Sequence, residues 1–160
     1  MAALSEVESL WHALACADRL IATDDPARRA ELRGALDTAW GLSESGARSL
    51  AEAAAADLLA RPDVDDDPVA AVVYAIRAAL GSSEAATWVA SRSLDAAFAR
   101  VPYPPHAEFF RPLEEDMASD VVQHELRWQL RVADLVSTAS TVREVKDWVE
   151  ALPANDQPGG

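Results

Sequence analysis

Four polar residues stand where the surrounding pattern asks for apolar ones. Asp18 falls between Trp11 and Leu14 on the apolar face of the first helix the periodicity predicts. Arg77 is the only charge on a segment, Val69 to Leu80, that is otherwise apolar nearly all round. Glu125 and Gln129 lie one turn apart inside the apolar side of a helix expected over residues 119–139. A carboxylate taken from water without a partner is costly, and it responds by holding its proton. Two chemistries follow. Asp18, Arg77, Glu125 and Gln129 either form an ion-pair network that fixes how the helices register, or line a polar pocket that binds a ligand or handles a proton. The network is favoured, because an arginine beside two acids is charge compensation.

A second group, His12, Cys16 and Arg19, shares the other side of the same first helix. His and Cys four residues apart can share a metal, but structural zinc needs four ligands and no second Cys or paired His is in place. His124-Glu125 opens like a zinc-protease helix, yet Trp128 occupies the position of the second histidine. The di-iron Glu-x-x-His pair is absent. Asp63-Val64-Asp65-Asp66-Asp67 begins like a calcium loop, but it lacks the glycine, and Tyr74 stands at the twelfth position. It reads as a solvated turn whose last aspartate caps a helix. No phosphate-binding glycine loop or nucleophile elbow occurs. The sequence therefore assigns no catalytic residue, no metal and no cofactor.

The elements that must position these groups are all helical. The chain has 160 residues, half of them hydrophobic but only 6% aromatic, and alanine is abundant. Such a composition suits closely packed helices and not strands. A capping box at Ser5 and Glu8 opens the first helix, whose face is Val7, Leu10, Trp11, Leu14, Ala17 and Ile21. Asp25-Pro26 opens a second, with Leu32, Leu36 and Trp40 inward. A peripheral, alanine-rich third is expected over 47–60. Asp67-Pro68 starts a buried fourth that ends at Gly81. A fifth follows from Ser82 or Ser83, with Trp88, Leu94, Phe98 and Val101 inward and Thr87 and Ser91 on the same side. The proline-rich stretch 102–112 reads as a stiff connection with a short helical piece near 107–111. In the 119–139 helix, apolar residues cover roughly 220° of arc, against the ~100° of an ordinary surface helix. A last helix, opened by a second capping box at Thr141 and Glu144, carries Val142, Val145, Trp148, Val149 and Leu152 as its stripe. The expected organisation is one all-α domain of six or seven helices over 1–152, and a tail, 153–160, that frays.

Charge and cysteine content narrow the partners. A formal net charge of −13 opposes nucleic acid and anionic membrane. Arg127, Arg131 and His124 make a positive stripe too small to reverse that. No apolar run reaches the ~18 residues of a membrane span. The first ten residues do not read as a signal peptide, and a single cysteine excludes an internal disulfide, so a cytosolic chain is expected.

Five segments resemble the bacterial YjaG family, a family of unknown function. Trp11 with Ala15-Cys16-Ala17-Asp18-Arg19 is similar to its Trp…Ala-Cys-x-Glu-Arg element, and Leu36-Asp37-Thr38-Ala39-Trp40 to its Leu-Asp-x-x-Trp element. Pro62 with Asp65–Asp67, Val89 with Ser93-Leu94, and Glu125-Leu126-Arg127-Trp128-Gln129-Leu130 follow in the same order. Asp18 stands where the family has glutamate. The resemblance implies an all-helical fold and an association with bacterial signalling. Together these readings give a non-enzymatic interaction or regulatory protein with a protein partner of unassigned identity. The alternatives are an immunity-type inhibitor of a basic toxin domain, which acidity would suit, and a small-molecule binder or enzyme using the inward polar set. Nothing in the sequence sets the oligomeric state.

Overall fold

The first helix, α1 (Glu6–Ile21), has nine consecutive buried residues from Ala13 to Ile21, more than any amphipathic stripe would cover. In the computed structural model, which describes residues 3–22, 24–45, 47–102 and 112–152, it is followed by α2 (Pro26–Ser45), α3 (Arg48–Leu59), α4 (Asp67–Ala79), α5 (Ser83–Ala99), α6 (Leu113–Met117), α7 (Asp120–Val136) and α8 (Val142–Glu150). The described residues contain no strand, and the fold is an all-α bundle of one domain. The eighth helix, beyond the six or seven expected, is the single turn and a half of α6. The proline-rich segment 103–111, with its expected helical piece, and the tail 153–160 lie outside the described residues.

The bundle is built around α1 and α4. Helix α1 touches α2, α4, α5, α7 and α8, and α4 touches α1, α2, α3 and α5. Alanine makes this possible: Ala13, Ala15 and Ala17 on α1 face neighbours that bring Ala71, Ala75, Ala85 and Ala86 into the same core. Side chains that short let helix axes approach at the near end of the 8–10 Å range. Leu14, Ile21, Leu32, Leu36 and Ile76 then fill what remains, each fully buried, and each contributes about 1.5–3 kcal/mol. Helix α3 is peripheral as expected. Its Ala51, Ala55 and Leu58 are buried, while Leu50 and Leu59 are exposed.

Most helix ends follow their sequence signals; the start of α4 is the exception, since the helix begins at Asp67 itself, and the preceding Asp66 makes no side-chain cap bond. Ser5 and Glu8 form both halves of a capping box. Asp25 caps α2 through Oδ1, which accepts from the Ala27 amide at 2.9 Å, with Pro26 at the first helical position. Helix α4 ends in a Schellman motif: the Ser82 amide donates to the Arg77 carbonyl (3.0 Å), the Gly81 amide to that of Ala78 (2.9 Å), and Gly81 takes φ +108°. At α8 only half of the box closes on Thr141. The Glu144 carboxylate accepts instead from the amide of Ser140, at 2.8 Å.

Three expected faces are corrected. Arg77 is exposed; α4 is buried around it but turns this one side to solvent. On α5 the inward line is Ala85, Ala86, Val89, Ser93 and Ala97, whereas Thr87 and Ser91 are exposed and Trp88 is 49% exposed. Small residues, not large ones, set that face, because α5 lies against both α1 and α4. Helix α7 is likewise no broadly buried rod. Its buried line is Val122, Glu125, Trp128, Val132, Ala133 and Val136, and Leu130 is 48% exposed. Its extra apolar residues Val121 and Leu126 pack on a separate small cluster around Ala97, Val101 and Val122.

Two glycines give opposite expectations. Gly81→Ala places a Cβ in open space but at φ +108°, so only backbone strain acts, and the loss is about 1–2 kcal/mol. Gly34 lies inside α2, also facing open space, so Gly34→Ala is expected to gain about 0.5–1 kcal/mol. Urea unfolding midpoints of the two variants, moving in opposite directions from the parent, check both.

Candidate functional site

Glu125 is the centre of the inward polar set, and it is 1% exposed. A charge so placed survives only if both carboxylate oxygens are bonded. They are. Oε2 accepts from Arg19 Nε at 3.0 Å, and Oε1 accepts from Ser93 Oγ at 2.9 Å and Gln129 Nε2 at 3.0 Å. The partners come from α1, α5 and α7, so one carboxylate ties three helices. Gln129 extends the tie. Its amide also donates to the Ala90 carbonyl of α5 at 3.2 Å, and its own backbone carbonyl accepts from His12 Nε2 at 3.2 Å. With that nitrogen protonated, His12 Nδ1 is left to accept from the Cys16 thiol, 3.7 Å away.

Arg19 has a second contact. Its guanidinium carbon lies 4.6 Å from the centroid of the Trp128 ring, a cation–π arrangement contributing about 0.5–2 kcal/mol in a site this dry. Burial pulls the Arg19 guanidinium below its ordinary value, and Glu125 opposes the pull. Burial also lowers the His12 imidazole, against the raising effects of the Gln129 carbonyl and Glu125. Burial drives the Cys16 thiol well upward, reinforced by the charge of Glu125, so Cys16 is the opposite of an activated nucleophile.

Asp18 belongs to a neighbouring but different knot. Its Oδ2 accepts from Arg33 Nη1 and, at 3.4 Å, from Trp40 Nε1, both on α2. Burial still raises its pKa, the two donors offsetting only part of the cost. Of the four residues singled out in the sequence, Glu125 and Gln129 are brought together, Asp18 sits next door, and Arg77 is removed altogether. The counter-charge to Glu125 is Arg19, which the periodicity puts on the outer side of α1. Arg19, Ser93, Arg33 and Trp40 are the site residues that the sequence pattern misses. The signal that could have found Arg19 is Ala13, Ala15 and Ala17 beside it, small residues that mark a stretch of helix buried all round.

The remaining groups resolve into surface contacts. Asp63 and Asp66 bind Arg28 of α2 at 3.3 and 2.8 Å, and Asp67 binds Arg92 of α5 at 3.3 Å. Arg61, with help from Arg28, holds the Asp63 carboxyl down to about 2. The acidic turn is thus a clasp between helices. Among the described residues no three His, Cys, Asp or Glu side chains are placed to hold a metal ion; His106 lies outside them. No described helix is long and apolar enough to cross a membrane. A scan against protein-family models gives no match, and no curated protein or solved structure matches the chain.

Two measurements test this geometry. Glu125→Leu leaves Arg19 buried without its carboxylate and is expected to cost about 3–5 kcal/mol, while the double variant Arg19→Met/Glu125→Leu recovers most of that loss. Urea unfolding of the two single variants and the double one reads the coupling. For His12, a folded pKa below the ordinary 6.5 means that the unfolded chain binds the proton more readily. Its contribution is fully present above pH 6.5 and is lost as pH falls from there through the folded pKa. Urea unfolding at neutral and mildly acidic pH should show this loss in the parent and not in His12→Gln.

Proposed function

We propose that this chain is a non-enzymatic interaction or regulatory protein of the bacterial cytoplasm, acting in signalling as its resemblance to the YjaG family implies. The observation that carries the reading is how its buried ionisable groups are used. Glu125 spends both oxygens on its own chain, and Asp18 is engaged by Arg33 and Trp40. These groups act as joints that set helix register, and a rigid bundle with preset register is a good carrier for a contact surface.

Such a surface is offered on the outer side of α4 and α5. Trp88, 49% exposed, stacks on Tyr74 with ring centroids 6.3 Å apart and planes at 28°. Aromatic side chains of this kind, half in water on rigid elements, are the usual anchors of protein contacts. The net charge of −13 adds long-range attraction for a basic partner. That charge favours the second reading, an immunity-type inhibitor of a basic toxin domain.

Affinity capture from the native host with the parent chain and with Trp88→Ala tests the proposal. The parent is expected to enrich a specific partner that the variant loses, with helical circular dichroism unchanged. A sensor kinase would support signalling, and a basic toxin the inhibitor. Recovery of no partner by the parent overturns the interaction reading, and equal recovery by both proteins removes Trp88 from it.

A further inference from the structure

Helix α7 packs against α1, α5 and α6 and leaves one sector in water. Arg127, Leu130, Arg131 and Asp134 are all exposed there, and at 100° per residue they share about 100° of arc. Leu130, 48% exposed, stands midway along the helix between Arg127 and Asp134. A lone exposed leucine needs no explanation, but its flanks differ from the rest of the surface. Arg28, Arg33, Arg48, Arg61 and Arg92 each hold a carboxylate of their own chain. Arg127 does not. Its Nε donates to the Gln123 carbonyl at 3.1 Å, and it forms no ion pair among the described residues. The Asp134 carboxylate, one turn beyond Leu130, likewise has no partner among them.

The order of charge along this face decides what can cover it. Two copies of α7 side by side in parallel would set Arg127 against Arg127 and Asp134 against Asp134. Antiparallel, about a two-fold axis between residues 130 and 131, the same face sets Arg127 of each chain opposite Asp134 of the other. The two Leu130 side chains then meet at the axis. Each charged residue lies about three and a half positions, or about 5 Å, from that axis. Helices crossing at the usual angles of about 20–50° therefore keep arginine and aspartate within a side chain's reach. Such self-complementarity is what a two-fold interface requires. Two arginines against one aspartate also make the face locally positive on a chain of net charge −13, so it is where two copies repel least. A basic partner would meet the arginines head-on. We propose that α7 pairs antiparallel with α7 of a second copy of this chain, across a two-fold axis at Leu130, through reciprocal Arg127–Asp134 contacts. The Trp88 surface, turned toward Tyr74 of α4, takes no part in it. One helix crossing covers less than the roughly 800 Å² per partner of a standard interface, so the dimer is weak, with Kd about 10–100 µM.

Sedimentation velocity of the full chain from about 5 µM to about 1 mM brackets that Kd. About 0.15 M salt screens repulsion beyond ~8 Å and leaves the contact pairs. The parent is expected to pass from monomer to dimer across the range. Arg127→Asp and Asp134→Arg each bring like charges together, and each is expected to weaken the dimer at least about tenfold. The double variant Arg127→Asp/Asp134→Arg restores it. An equimolar mixture of the two single variants also pairs, because every facing charge is then opposite in sign. Both positions are exposed, and helical circular dichroism verifies that the variants fold. A parent that stays monomeric throughout overturns the proposal. A dimer indifferent to both single variants is formed elsewhere and overturns it too, as does failure of the double variant and the mixture to recover association.

Discussion

The structure depends on one buried ion pair. Arg19 and Glu125 are each nearly inaccessible, and neither is tolerable in the core without the other. Their geometry admits little slack: Glu125 must also reach Ser93, while Arg19 lies against Trp128. A core made largely of alanine and valine offers many nearly equivalent ways for helices to slide past one another, since small side chains interdigitate shallowly. The polar joint removes that freedom. It supplies direction to an apolar interior that has volume but little shape.

Much of the fold is legible in the sequence because helix ends are local. The Ser5–Glu8 box, the Asp25-Pro26 start and the Gly81 stop each depend on a few adjacent residues, and each is found where the pattern puts it. The peripheral α3 and the clean stripe of α8 are legible for a similar reason: an element that packs on one side shows its periodicity plainly. Central elements do not. In α1 the buried run from Ala13 to Ile21 is continuous, so a periodicity assigned from Leu14, Trp11 and Ile21 gives this stretch an outer side it does not have, and puts Arg19 on it.

The candidate site was half legible for the same physical reason. Glu125 and Gln129 stand out because polar groups in an apolar stretch are conspicuous whatever the packing. Their partners are not conspicuous. Ser93 looks like any helix serine, and an inward face of α5 assigned from Trp88, Leu94 and Phe98 misses it, since these lie at the margins, half-buried or exposed. Side-chain size is a poor guide to orientation where helices meet closely, because the closest contacts are reserved for alanine. Arg77 illustrates the converse: its helix is buried nearly all round, and the charge marks the one side that faces water.

The Arg19–Glu125 joint also orders events in time. Its two residues are separated by 106 positions, and at about 5–20 residues per second a ribosome needs roughly 5–20 s to travel between them. Through that interval α1, made before α7, carries a guanidinium that its mature neighbours can bury only once α7 has arrived. The nascent chain can form helices as it emerges, but its central helix cannot be enclosed until the seventh is made. A helix made early is thus enclosed late.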